Sequence, residues 1–104
     1  LFSMTSHIIY KNIDELYPAT HSIKIINLIR KKIAFKNLIL SDDISMKALK
    51  YSISKNTHLA FTAGCNLVMH CNGNMREMII VAKNSPYIDN FILKKTYQFY
   101  DIIR

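Results

Sequence analysis

Asn37-Leu38-Ile39-Leu40-Ser41-Asp42-Asp43-Ile44-Ser45-Met46 is the stretch from which the fold can be read. An apolar run, Leu38 to Leu40, stops abruptly at Ser41, Asp42 and Asp43. A short all-apolar run closed by acids has the signature of a strand buried on both faces, with carboxylates where it leaves the core. In layered α/β proteins that C-terminal strand end is where chemistry usually sits, which makes Asp42 the first candidate for a catalytic carboxylate.

Working outward, Leu1 to His7 reads as a weak strand, followed by a loop from Ile8 to Thr20 marked by Asn12-Ile13-Asp14 and Pro18. Long loops in compact domains tend to be functional. Ser22 is a helix N-cap, and Ile25, Ile26, Leu28, Ile29 and Ile33 form an apolar stripe opposite Lys24, Asn27, Arg30 and Lys31, predicting a helix over Ser22–Ile33. After the acids, Met46, Ala48, Leu49 and Tyr51 suit a helical turn within a second loop. A helix over Lys55–Ala63 stops at Gly64, a strand follows over Asn66–Met69, and Asn74 caps a helix over Met75–Lys83. Ser85-Pro86 is read as the start of a last helix presenting Ile88, Phe91, Ile92, Phe99 and Ile102.

Polar residues close each strand: His7, then Asp42-Asp43, then His70. Their spacing, about 30 residues, is the repeat of successive βα units in a parallel sheet. Right-handed crossovers bring the three ends to one rim. The fold class is therefore α/β, in one domain covering residues 1–104; pattern alone does not separate a closed barrel from an open sheet.

Composition narrows the function. The chain carries 14 Lys and Arg against 7 Asp and Glu, a formal charge of +7. The basic residues are dispersed, and the densest group, Arg30-Lys31-Lys32, lies where a helix should end and cations suit the dipole. Richness in Ile, Lys, Asn and Tyr fits A/T-rich coding, so the charge is read as a solvated surface rather than a nucleic-acid interface. Neither a membrane span nor a secretory leader is expected. Cys65 and Cys71 bracket a strand that would hold them roughly 20 Å apart, against the ~7 Å a disulfide tolerates. Free thiols fit a reducing, cytoplasmic compartment. No metal-ligand spacing and no glycine-rich phosphate loop occurs, so no metal or cofactor is expected.

Asp42 suits a nucleophile or general acid/base; the plainer alternative is a helix cap or a lysine's partner. Asp43 is expected to point away from the pocket, because neighbours on a strand alternate. His7 and Met46 are candidate pocket-lining residues, with His7 either shuttling a proton or serving as a hydrogen-bonded structural histidine. A His70-Cys71 dyad is not expected, because base and nucleophile must meet in space rather than in sequence.

Three segments carry a resemblance: Met4-Thr5-Ser6-His7-Ile8-Ile9-Tyr10, Leu40-Ser41-Asp42-Asp43-Ile44-Ser45-Met46-Lys47-Ala48, and Ala63-Gly64-Cys65-Asn66-Leu67-Val68-Met69-His70-Cys71-Asn72. In order and separation they are similar to bacterial β-N-acetylhexosaminidases of glycoside hydrolase family 3, as far as about Pro86. The resemblance implies a partial (β/α)8 TIM barrel, its last three βα units plus a C-terminal helix. It implies Asp42 as the nucleophile of a retaining double displacement on terminal β-linked N-acetylglucosamine, in cytoplasmic recycling of cell-wall muropeptides. The family's acid/base histidine and aspartate belong to a Lys-His-Phe-Pro-Gly-His-Gly-like segment that these residues do not contain. A separately encoded N-terminal barrel fragment would have to supply it, and the rival reading is a non-catalytic remnant kept as an interaction module. Three strands of an eight-stranded barrel leave two edges unpaired, so the isolated chain is expected to be poorly soluble or partly molten.

Overall fold

A computed structural model describes residues 1–104. Three parallel strands form one sheet in the order β1 (Phe2–Met4), β2 (Leu38–Asp43), β3 (Leu67–Met69). The helices are α1 (Ile23–Lys31), α2 (Ile53–Ala63), α3 (Met75–Asn84) and α4 (Asn90–Ile103), with a 3-10 turn at Ala19–His21. Strand, helix, strand, helix, strand and two helices follow one another as the spacing of apolar runs predicts.

Local chemistry sets the boundaries. Ser22 Oγ accepts from Ile25 N–H at 3.1 Å and opens α1, and its hydroxyl donates to Asp14 Oδ2 at 2.6 Å. Asp14 Oδ1 also accepts the Leu16 and Tyr17 N–H groups. One buried carboxylate thus folds the loop before α1 and fastens it to the helix cap. Its pKa is lowered mainly by the Ser22 hydroxyl, against the opposing effect of burial. Gly64 ends α2 at φ +118°; a Cβ there would lie 2.7 Å from Ile26 Cγ2, so glycine is needed both for the backbone and for the approach of α1.

The core lies between the sheet and α1–α2: Ile26, Ile39, Ala60, Ala63 and Cys65, with Ile29, Phe35 and Val68 against it. Arg30 bolts its lower edge, donating from Nη1 to Phe35 O and Asn37 O and from Nη2 to Asn66 Oδ1. Asn66 Oδ1 also accepts Ile39 N–H at 2.8 Å, so the residue before β3 completes the pairing with β2.

Several expectations change. The strand expected over Leu1–His7 is only Phe2–Met4, because the chain leaves the sheet at Thr5, whose N–H still bonds Leu40 O. The middle strand runs on to include Asp42 and Asp43. The helical turn expected near residues 46–51 is present as a single turn within the loop, closed by Leu49 N–H on Met46 O at 3.1 Å. Ser85-Pro86 does not open the last helix; that helix starts at Asn90, because Asp89 rather than Ser85 offers its side chain as cap, accepting from Ile92 N–H at 2.8 Å. The apolar faces of α3 and α4 are also largely uncovered: no residue of α3 is buried, and only Ile92 of α4 is.

Candidate active site

The C-terminal ends of the three strands meet as expected, and the middle one is irregular there. Leu40 pairs with Leu67 and Asp43 with Met69, so β2 advances three residues while β3 advances two. That extra residue is a bulge, a device that re-aims side chains at the rim of a sheet. Ser41 sustains it: its buried hydroxyl oxygen accepts Met69 N–H at 3.1 Å, and Ile44 N–H returns to Met69 O at 2.9 Å.

Asp42 sits in this bulge, half-buried, with Oδ1 accepting Asp43 N–H at 2.7 Å. Asp43 is the hub of the rim. Its Oδ1 accepts from Ser45 N–H, the Ser45 hydroxyl and Cys71 N–H at 3.0, 2.7 and 3.1 Å. Its carbonyl accepts from Met46 N–H at 3.2 Å and from His7 Nε2 at 2.8 Å. Burial alone would raise the Asp43 carboxyl, but the Ser45 and Cys71 donors and nearby His70 together hold it below the ordinary carboxylate value. The bonds to Ser45 and Cys71 turn that carboxylate to work within the turn.

His7 has both ring nitrogens engaged. Nδ1 lies 2.8 Å from Thr20 Oγ1, which is 2.8 Å from Thr5 Oγ1. A proton shuttle at His7 would have to break one of these bonds. The ring also borders a cavity of about 90 Å³ with Leu16, Tyr17, His21 and Tyr51. Met46 follows the turn with 43 % of its surface exposed.

The third strand end is tied to α3. His70 Nε2 and Glu77 Oε2 are 3.3 Å apart, and Asn72 donates to the same oxygen. Cys71 is exposed and Cys65 buried, both as free thiols. The other ring nitrogen of His70, Nδ1, is buried without a hydrogen-bond partner, so the ring makes no hydrogen bond to the thiol of its sequence neighbour Cys71. No three His, Cys, Asp or Glu side chains gather to hold a metal ion, and no helix is long and apolar enough to cross a membrane.

Chemically, the rim offers one carboxylate, Asp42, fixed by a single backbone donor. The other two rim acids are committed: Asp43 to Ser45 and Cys71, Glu77 to His70 and Asn72. Sequence reasoning missed the role of Asp43 as hub, although Asp43-Ile44-Ser45 is an Asx-turn pattern in which the acid accepts the N–H two residues on. It also missed Thr20, which nothing local distinguishes from other loop hydroxyls.

Comparison with known proteins gives this rim a context. Residues 2–95 match the model of the glycosyl hydrolase family 3 N terminal domain. A β-hexosaminidase of Psychromonas ingrahamii is 27% identical over 101 residues, covering 95% of this chain and 28% of its own length. A Vibrio cholerae β-hexosaminidase is 30% identical over 89 residues, covering 83% of this chain and 26% of its own. Among solved structures, the β-N-acetylglucosaminidase of Thermotoga maritima superposes with a TM-score of 0.71 at 33% identity, over 81% of this chain and 19% of that one. The β-N-acetylhexosaminidase of Beutenbergia cavernae gives 0.69 at 26% identity, over 80% and 26%. The chain thus spans less than a third of the length of the relatives it matches, and its three βα units are part of a barrel. With nearly all of its residues inside the family match, the chain belongs to glycoside hydrolase family 3.

Proposed function

We propose that this chain is the nucleophile-bearing part of a retaining β-N-acetylhexosaminidase, acting on saccharides with a terminal β-linked N-acetylglucosamine. The observation that carries the reading is Asp42 itself: a half-buried carboxylate at the C-terminal end of the middle strand, oriented by a backbone N–H. In the proposed reaction Asp42 attacks the anomeric carbon as the aglycone leaves, giving a glycosyl ester that water then hydrolyses. The leaving oxygen needs a proton donor, and Asp43 and Glu77 are engaged elsewhere. The acid/base therefore comes from a complementary N-terminal barrel segment, on this or a separately encoded polypeptide. Without it the first step loses a factor on the order of 10²–10⁴. The family resemblance further supports muropeptides as substrates, in cytoplasmic cell-wall recycling, with no nucleic-acid partner.

The test is hydrolysis of a chromogenic N-acetylglucosaminide by the chain alone and after mixing with an N-terminal barrel segment. Turnover in the mixture, abolished by Asp42→Asn, is the expected result. No turnover in either would favour a non-catalytic remnant, an interaction module whose exposed apolar faces on α3 and α4 serve another partner.

A further inference from the structure

We propose that His7 is a positioning residue for Asp42, acting through the backbone of Asp43, whose carbonyl the imidazole bonds and whose N–H holds the Asp42 carboxylate. The inference rests on the reading of Asp42 as nucleophile, but the geometry behind it stands apart from any catalysis. A carbonyl can only accept, so the 2.8 Å contact between His7 Nε2 and Asp43 O is a bond donated by the imidazole. At the other end of the ring Nδ1 lies 2.8 Å from Thr20 Oγ1, which donates to Ser6 O at 3.1 Å and is in contact with Thr5 Oγ1. Thr5 and Thr20 are 6 % and 0 % exposed. The ring is thus held at both ends, by Thr20 of the 3-10 turn on one side and by the end of β2 on the other.

The consequence falls on Asp42. Asp43 N–H donates to Asp42 Oδ1 at 2.7 Å, so the orientation of residue 43's backbone sets where the nucleophilic oxygen is held. Met46 N–H also bonds the Asp43 carbonyl, at the longer distance of 3.2 Å. Losing the imidazole leaves this short-range turn contact as the other bond on that oxygen. The turn beyond it is secured by Ser45 and Cys71 on the Asp43 carboxylate, which fixes the side chain and leaves the carbonyl to His7. Near-attack geometry requires the carboxylate oxygen and the reacting carbon to be held about 3–3.5 Å apart, and small displacements of a nucleophile are costly in rate.

The experiment compares wild type with His7→Ala and His7→Gln, whose amide can still donate to the carbonyl, and with Thr20→Val, which leaves His7 in place but removes its orienting partner. Amide exchange in the 104-residue chain, with an N-terminal barrel segment added to suppress self-association, should show the Asp43 N–H protected in wild type. Exchange should be roughly tenfold faster in His7→Ala and Thr20→Val, and recover in His7→Gln. In the chain mixed with an N-terminal barrel segment, His7→Ala should lower kcat about tenfold or more with KM within twofold, and His7→Gln should restore most of it. An unprotected Asp43 amide in wild type, protection indifferent to His7, or an equal loss in His7→Gln would overturn the proposal. A merely structural histidine would lower the apparent kcat only through the folded fraction. The kcat is therefore expressed per folded molecule, counted from the circular-dichroism signal, and a loss that disappears on that basis would also overturn the proposal. Should wild type give no turnover at all, the glycosidase reading fails, while the exchange pattern still decides whether His7 orients residue 43.

Discussion

Met4→Lys is a direct probe of whether this chain is incomplete as a folded body. A monomer of 12.1 kDa is expected to expose about 6,000 Å²; this chain exposes 7136 Å². The excess, about 1,100 Å², is more than the ~800 Å² per partner of a standard stable interface. Part of it is the free edge of β1, where Met4 is 53 % exposed, and part is α3 and α4, where Ile79 and Tyr97 are 48 % and 60 % exposed. The wild-type chain is therefore expected to self-associate at micromolar concentration, and an N-terminal barrel segment is expected to suppress that association. About half of the ~1.5–3 kcal/mol available from burying a methionine remains to be gained at Met4. Its loss, with a charge on an edge strand, should weaken association roughly tenfold or more. Sedimentation velocity of both forms, with and without the segment, measures this. A monodisperse wild-type monomer that melts in one sharp cooperative transition would refute the reasoning, as would a Met4→Lys chain that associates as strongly as wild type.

Other consequences are local. Burial pushes the Cys65 thiol up to about 11, while Cys71 is exposed; a thiol reagent at neutral pH should therefore modify Cys71 readily and Cys65 only after denaturation, which peptide mapping would show. Gly64→Ala puts a Cβ 2.7 Å from Ile26 Cγ2 at a positive φ and should cost roughly 2–4 kcal/mol from backbone strain and overpacking, seen as lost amide protection in α1 and α2. Desolvation lowers the His21 pKa from its ordinary 6.5, with a smaller push from His7 and an opposing bond to the Asn56 backbone. The unfolded chain then binds the proton more readily, so stability should fall as pH drops below 6.5 toward the lower folded value. His21→Gln should flatten that slope in urea titrations at pH 7.5 and 5.5.

Much of the fold was legible because it depends on local signals. Ser22 and Asn74 cap helices as their positions suggest, Gly64 ends one, and the Leu38–Leu40 run is the buried start of the central strand. The placement of Asp42 at a strand end was equally local. What escaped depends on partners distant in sequence. The bulge at Ser41-Asp42 is visible only in register with β3, and the bond from His7 to Asp43 spans 36 residues. The start of α4 was misjudged because Pro86 is a general helix opener, whereas Asp89 has the side-chain oxygen that caps Ile92 N–H. The faces of α3 and α4 follow helical spacing, as the sequence suggested, yet periodicity cannot say whether anything lies opposite to cover them.

The nucleophile itself can be seen most directly by trapping. The chain, mixed with an N-terminal barrel segment, would be treated with an activated fluorinated N-acetylglucosaminide that forms a glycosyl-enzyme faster than it is hydrolysed, then digested and analysed by mass spectrometry. One added sugar on the peptide containing Asp42, absent in Asp42→Asn, is the expected result. A sugar attached to Asp43 or to any other residue, or turnover that persists at wild-type rate in Asp42→Asn, would contradict it.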